Sequence, residues 1–439
     1  MQFEILNEVK IAITTLGCKI NQYDSAVIQS RLENGCSFVP FDQAADCYII
    51  NSCTVTDRAD WEARQLVRRA KRLSPQARVV VTGCYAQVNP HELAAVPGVD
   101  HVVGLNRLDD LLRCIMTPVS LGAPKIAVSD VRRERGVAVL GTSALPGHTR
   151  AFLKIQEGCN YSCSYCIIPT ARGLSRSVAP RAVLDEVRRL AEAGYREIVL
   201  TGIHLGGYGQ DLLPKTDLTA LVRMIDVSRL VPRLRLSSLD PREVPDRLLD
   251  LMAGSDVICP HLHVCAQAGN DGVLKRMRRN YDTGYYRELL GRIRERLPDA
   301  ALGSDIIVGF PGETDEEFES SLHYFASLPL TYFHVFPYST RRGTMAASLL
   351  DPVPAELKKT RARKMRELGA QKKNEFYGRF QGRQVSVLVE EKVDKTTGLC
   401  RGYSRNYLPV MVCGGATLAN REIAVRLERL ENGWLLGSD

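Results

Sequence analysis

Apolar residues along this chain fall into short runs that alternate with stretches of helical period. Near the N-terminus the runs Ile11–Leu16, Cys47–Ile50 and Val79–Val81 each stop shortly before a cysteine, at Cys18, Cys53 and Cys84. Helical patterning lies between them, notably over Ala59–Leu73. Strands alternating with helices predict a parallel α/β sheet. Ligands of such sheets gather beyond the carboxyl ends of the strands. The three cysteines are therefore expected as neighbours on one edge, and Gly17 and Gly83 let the backbone come close to a bulky ligand there.

From Val119 to Thr149 the chain turns to Gly, Pro, Ser and Thr with a charged RRER patch, which reads as a domain junction. A second α/β series follows. Its expected strands are Phe152–Gln156, Glu197–Leu200, Leu234–Ser237, His261–Cys265, Leu302–Val308 and Tyr332–Phe336, with amphipathic helices such as Val178–Ala193 and Tyr285–Arg296 between them. Six parallel strands predict a partial (β/α)6 barrel, open on one side for a large substrate. After a basic helix at Glu356–Phe376 the pattern changes to the short runs Gln384–Val389, Gly398–Tyr403, Leu408–Val412 and Ala424–Leu430, the signature of a small antiparallel β barrel. The expected α/β chain thus has three domains, at 1–145, 146–376 and 377–439.

Composition narrows the class. A chain of 439 residues is too long for one ordinary domain. Its 45% apolar and 25% charged content is that of a soluble globular protein. The N-terminus does not read as a signal peptide, and no run of eighteen apolar residues exists, so a cytoplasmic protein without a membrane span is expected. Thirteen cysteines in such a chain fit metal or cluster binding in a reducing compartment better than a disulfide framework. The net charge of +8 is concentrated. Glu356 to Arg379 holds nine basic residues against three Glu, and Arg64 to Arg72 holds five and no acid. Solvated helix faces account for most such runs, yet two on one chain favour an anionic partner such as RNA.

The densest chemistry is in KIQEGCNYSCSYCIIP, where Cys159, Cys163 and Cys166 have C-x3-C-x2-C spacing. Three thiolates can hold three irons of a four-iron cluster and leave the fourth without a protein ligand. An open iron can bind a small molecule through an amine and a carboxylate and pass it an electron; S-adenosylmethionine has both groups. A structural zinc site is the alternative, but zinc normally takes four ligands and no fourth Cys or His follows in Ile167–Gly173. With Tyr165 before the last cysteine, the motif resembles that of the radical S-adenosylmethionine superfamily.

With TTLGCKINQYDS, IINSCTVTDRADWEARQ and VTGCYAQ beside it, the chain resembles the methylthiotransferase family over nearly its whole length. The resemblance implies two 4Fe-4S clusters, one on Cys159, Cys163 and Cys166 and one on Cys18, Cys53 and Cys84, where sulfur is delivered. It implies S-adenosylmethionine as a further cofactor, contacted by Tyr165, by Thr201 and Gly202 in EIVLTGIHLGGYG, by Gln267, and by Val308 within GSDIIVGFPGET. AQAG stands where relatives often show Gln-Ser-Gly. Cys36, Cys47, Cys114, Cys259, Cys265, Cys400 and Cys413 read as core thiols. Arg172, Arg176 and Arg181 follow the cluster loop and suit RNA phosphate. The tail resembles a TRAM domain, an RNA-binding barrel, whose Arg383, Arg401 and Arg405 suit phosphate and whose Tyr403 and Tyr407 suit base stacking. The implied activity is methylthiolation at carbon two of threonylcarbamoyladenosine beside the tRNA anticodon. Isopentenyladenosine in tRNA, an aspartate of a ribosomal protein, or a non-catalytic iron–sulfur RNA-binding role are the alternatives. An electron donor and a sulfur source are required partners that the sequence does not identify. No catalytic residue beyond the clusters is evident.

Overall fold

The N-terminal sheet is built from β1 (Val9–Thr15), β2 (Cys36–Phe38), β3 (Cys47–Ser52), β4 (Arg78–Gly83), β5 (His101–Val103) and β6 (Ile126–Ala127), in the order β2-β1-β3-β4-β5-β6. All its pairings are parallel, as the alternating pattern requires. β3 is buried along its whole length, which explains its near-continuous apolar sequence. The helix Asp57–Leu73 starts at Thr56, whose Oγ1 accepts from the Ala59 N–H at 3.2 Å. Asp57 and Asp60 in its first turn and Lys71 and Arg72 in its last complement the helix dipole. This computed structural model describes residues 9–32, 35–116, 125–134, 136–137 and 149–438, so much of the expected junction at 119–149 lies outside the described residues.

All six strands expected in the second series are present: β7 (Arg150–Glu157), β9 (Glu197–Gly202), β10 (Arg233–Leu236), β12 (His261–Val264), β13 (Ala301–Val308) and β14 (Tyr332–Pro337). Two short strands went unanticipated, β8 (Arg176–Ser177) and β11 (Ser238–Leu239). Together they form two four-stranded sheets, β10-β9-β7-β8 and β11-β12-β13-β14. An isolated parallel bridge between Leu234 and Ile258 carries the curve from one sheet to the other. The result is a partial barrel with free edges at β8 and β14. The helix Lys19–Leu32 of the N-terminal region packs along β7. No helix among the described residues is long and apolar enough to cross a membrane.

The tail closes into a five-stranded barrel of β15 (Gln384–Val393), β16 (Cys400–Ser404), β17 (Pro409–Val412), β18 (Glu422–Glu431) and β19 (Trp434–Ser438). Its last strand, beyond Leu430, was not anticipated. The closing pair, β17 with β19, is parallel, so the barrel is antiparallel everywhere but at its seam. The interior is Val387, Val389, Val410, Val425, Leu427 and Leu435.

This small barrel is seated on the partial barrel through buried charge. Glu197 at the start of β9 is paired with Arg235 at 2.7 Å and with Arg233 at 2.8 Å, and all three are buried. The two guanidiniums then donate to the β16–β17 loop. Arg233 reaches the Tyr403 and Ser404 carbonyls at 3.1 and 2.9 Å, and Arg235 the Arg405 carbonyl at 3.0 Å. Burial acts to raise the Glu197 carboxyl, but Arg235 and Arg233 outweigh it and bring it down to about 2. Removing one member of such a set leaves buried charge uncompensated.

Glu197→Gln is therefore expected to lower stability by about 3–5 kcal/mol, read as a lower urea midpoint. The carboxyl's folded pKa of about 2 lies below its ordinary 4.5. Its contribution is thus complete above that ordinary value and lost as pH falls through the folded one. The parent should show this acid limb in a pH series of urea midpoints, and the variant should lack it.

Candidate active site

Cys18, Cys53 and Cys84 follow β1, β3 and β4 at one sheet edge, and their thiols lie within electrostatic reach of one another. Cys18 is exposed, while Cys53 and Cys84 are buried. Two glycines make the close approach possible. Gly17 has φ of +100° and a Cβ there would stand 2.7 Å from Cys53 Cβ; Gly83 has φ of +93° and a Cβ would strike the Ser52 carbonyl. Asn21 ties the edge together, donating to the Leu16 and Ser52 carbonyls at 2.7 and 3.0 Å. Burial pushes the Cys84 thiol up to about 12, with Arg172 opposing. A coordinating metal reverses that order, since a ligating thiol is deprotonated outright.

Cys159, Cys163 and Cys166 lie in the loop after β7, again within mutual electrostatic reach. The loop is pinned from the far side of the partial barrel. Ser164 donates through its N–H to the Met277 carbonyl at 3.1 Å and through Oγ to the Arg276 carbonyl at 2.8 Å, and its own carbonyl accepts from Ala346 at 2.7 Å. Arg279 donates to Cys163 Sγ at 3.0 Å and is held by Asp240. Beside Cys159, His204 is paired with Glu243 and lies against Tyr161 with ring centroids 4.3 Å apart and planes tilted by 51°. The Tyr161 hydroxyl donates to the same carboxylate at 3.0 Å. These three line a cleft of about 460 Å³ with Asn160, Ser175 and Gln210.

One side chain ties the first thiol set to the end of β7, the strand that leads into the second set. Arg172 is 1% exposed. Its Nε donates to Cys84 Sγ at 3.2 Å, Nη1 to Glu157 at 2.7 Å, and Nη2 to Asn21 Oδ1 at 2.6 Å and Asp24 at 3.0 Å. Lys154 completes the arrangement, 2.6 Å from Asp24 and 2.8 Å from Glu157. Two cations and two carboxylates balance. Burial acts to raise the Glu157 carboxyl, and Arg172 and Lys154 together pull it below its ordinary range. On the opposite side Arg341 grips the loop after Cys53, donating to the Thr54 carbonyl at 3.2 Å and to Asp60 at 2.6 Å.

The inner face of the partial barrel carries a polar network. His263 Nε2 and His334 Nδ1 meet the same Asp305 oxygen at 2.9 and 3.1 Å, and the Tyr332 hydroxyl joins His261 to His263. Burial acts to raise the Asp305 carboxyl, but the two imidazoles hold it well below the carboxylate range. One ligand atom from each of His263, Asp305 and His334 lies within 4.8 Å of the others.

Of the residues expected at the cofactor, Gln267 adjoins this network, while Val308 alternates to the opposite face of β13 and packs in the apolar core. Thr201 is buried, and Gly202 sits where a Cβ would stand 3.1 Å from Gln156 Cβ. Gln267 adopts φ of +64°, strained for a residue with a Cβ, and pairs with the β13 backbone at Asp305 and Ile307. Val308 is buried on the same strand, and Tyr165 packs with Phe310 and Tyr338.

Three arginines expected to meet RNA phosphate are corrected. Arg172 is inside the ion cluster, and Arg176, 4% exposed, donates to the Val131 and Arg172 carbonyls. Arg405 pairs with Glu422 and donates to the Pro232 and Asp256 carbonyls, stapling the small barrel to the partial one. Tyr403 and Tyr407 likewise face inward. Tyr407 lies 4.7 Å from the His261 ring and under Arg235 at 4.8 Å, and Tyr403 lies under Arg150 at 4.8 Å. Arg383 remains 52% exposed beside Asp299, and Arg401 lies over Trp434, paired with Asp394.

Residues 10–104 match the family described as uncharacterized protein family UPF0004, and residues 153–325 the radical SAM superfamily. The chain is 39% identical over 420 residues to the threonylcarbamoyladenosine tRNA methylthiotransferase MtaB of Bacillus subtilis (strain 168), covering 95% of this chain and 93% of that one. It is 39% identical to MtaB of Aquifex aeolicus (strain VF5), over 88% of this chain and 93% of that one. It is 33% identical to the tRNA-2-methylthio-N(6)-dimethylallyladenosine synthase of Carboxydothermus hydrogenoformans, over 94% and 96%. In fold it is similar to the radical S-adenosylmethionine methyltransferase TsrM from Kitasatospora setae, with a TM-score of 0.54, 18% identity and 77% of each chain covered.

Replacing Arg172 with Met strands Glu157 and Asp24 with a single cation. A loss of about 3–5 kcal/mol is expected. Amide hydrogen exchange should locate it, with protection falling in Lys19–Leu32 and Ile168–Arg172 together. Arg172→Lys should rescue only part, because an ammonium lacks the fork that reaches four partners at once.

Proposed function

Because the chain belongs to the radical S-adenosylmethionine methylthiotransferase family, in its threonylcarbamoyladenosine branch, we propose that it places a methylthio group on carbon two of that nucleoside next to the tRNA anticodon. The observation that carries this reading is the pair of three-thiol sets at strand ends, with Arg172 bonded both to Cys84 and to Glu157, two residues before Cys159. When bound, two 4Fe-4S clusters and S-adenosylmethionine supply the electron, the carbon radical, the methyl group and a landing place for sulfur. Cys159, Cys163 and Cys166 hold one cluster; Cys18, Cys53 and Cys84 hold the other. Gly17 and Gly83 let the cysteine-bearing loops pack directly against one another, which brings the three thiols to one edge.

The protein's own residues supply orientation and charge. Arg279 donates to Cys163 and Arg172 to Cys84, and a donor to sulfur favours the ligating thiolate. Gln156 fixes the cluster loop, donating to the Glu157 and Gly158 carbonyls at 3.0 and 2.8 Å and accepting from the His204 N–H at 2.7 Å. Tyr165, Thr201, Gly202 and Gln267 line the side where S-adenosylmethionine is held.

The RNA grip is reassigned from the buried arginines to an exposed helix face. On Asp57–Leu73, Trp61, Arg68 and Arg72 share one side, and Trp61 is 54% exposed. An aromatic with two cations on one exposed face suits stacking and phosphate contact. Arg383 and Arg401 of the TRAM-like barrel are separate candidates for phosphate contact. The protein acts in the cytoplasm, on tRNA.

Cys163→Ala should abolish reductive cleavage of S-adenosylmethionine, with iron falling from about eight per chain toward about four by the arithmetic of two clusters. Deoxyadenosine at the parent rate from this variant would rule the assignment out. With Cys18, Cys53 and Cys84 all Ala, deoxyadenosine should still form and no methylthiolated nucleoside should appear.

Filter binding of tRNA across a salt series tests the RNA face. Arg68→Gln and Arg72→Gln together should flatten the log–log slope by roughly 0.7–0.9 per lost contact. An unchanged slope would send the grip elsewhere.

A further inference from the structure

Three side chains of metal-ligand type stand together on the inner face of the partial barrel, one from each of three neighbouring strands. His263 comes from β12, Asp305 from β13 and His334 from β14. Strand pairing puts them there. Asp305 is level with His334, and His263 is level with Gly303, two residues before Asp305 and on the same side of β13. His263 Nε2 and His334 Nδ1 lie 2.9 and 3.1 Å from one Asp305 oxygen, Oδ1. The other oxygen takes the Cys265 thiol at 3.4 Å, which fixes the carboxylate. The trio shares no residue with either thiol set.

The spacing suits a metal ion. Nitrogen and oxygen ligands bound to one divalent ion at about 2.0–2.2 Å stand roughly 3 Å from one another. The far nitrogen of His263 is also held. Gly303 leaves room for the Tyr332 ring, which a Cβ at that position would strike. The Tyr332 hydroxyl thereby reaches His263 Nδ1 at 3.3 Å and His261 Nε2 at 2.8 Å. When Nδ1–H donates to that oxygen and the hydroxyl donates to His261, the lone pair of His263 Nε2 faces Asp305. A cation between the two relieves that opposition. A partner on the second ring nitrogen is what orients a ligating imidazole. The His334 side chain is 58% exposed, so the trio is open on its side.

We propose that His263, Asp305 and His334 bind a divalent transition-metal ion through two imidazoles and a carboxylate. This donor set suits zinc or ferrous iron rather than calcium or magnesium, which take oxygen ligands. Three protein ligands leave coordination positions free on the exposed side for an oxygen or nitrogen donor of a bound molecule. The site is separate from both clusters and independent of which nucleoside the protein modifies.

Zinc is the probe. The full chain, loaded with its clusters and cleared of loose metal with a chelator, is dialysed anaerobically against zinc, and zinc and iron are counted per chain. The wild type should gain about one zinc with its iron unchanged. His334→Ala, at an exposed position, should lose that zinc while keeping its iron and its urea midpoint. Tyr332→Phe keeps all three ligands and removes only the hydroxyl that orients His263. Its zinc affinity should fall about tenfold to a hundredfold. Zinc held by thiols would stay in both variants. A wild type that takes up no zinc, or uptake and affinity equal in the wild type and both variants, overturns the site.

Discussion

Three buried charges and the half-buried Asp24 hold the chemistry of this protein in one place. Lys154 and Glu157 come from β7, Arg172 from the short helix after the second cysteine loop, and Asp24 from the helix that covers the barrel's open side. Neither cation is stable there without both carboxylates, since an isolated ion out of water is penalised by several kcal/mol. The cluster is therefore all or nothing. It also touches Cys84 directly and sits next in chain to the Gly158–Cys159 turn, so the two thiol sets share one rigid support.

The gathering of Cys18, Cys53 and Cys84 at strand ends, three strands of the first sheet and the partial barrel were legible because each is written locally, as spacing or as periodicity, whereas β2, β5, β6 and the order of strands were not read. What a basic residue does was not. Arg172, Arg176 and Arg405 look on paper like Arg383, yet three are interior or stapled and one is exposed. The difference lies in partners such as Asp24 and Glu422, far away in sequence, and no local pattern encodes that meeting. The basic helix near the tail makes the same point. Its Arg361 is buried against Glu313 and Asp315, and Lys358 and Lys372 cap the Tyr338 and Leu328 carbonyls. Charge density there reports docking onto the barrel as much as it reports a surface for RNA.

The inner-face histidines were a missed signal that the sequence did carry. His261 and His263 alternate on β12, so both point to one face, and His334 on β14 is level with Asp305, two residues along the strand beyond the height of His263. The aromatic residues of the tail were misassigned for the opposite reason. Tyr403 and Tyr407 suit base stacking by type, but the β16–β17 loop turns them onto Arg150, Arg235 and His261, where they close the floor of the barrel.

That floor and the ion cluster also dictate an order of events during synthesis. Arg172 and its Asn21 partner are 151 residues apart, and Arg341 meets Asp60 across 281. The sheet bearing the first cysteines emerges early, yet its edge is finished only when chain made much later arrives to clasp it. Contacts of such long range form slowly and leave open edges exposed meanwhile. The tail, translated last, seals the barrel from below. The edge that carries the first three cysteines is thus complete only once the chain through Arg341 has been made.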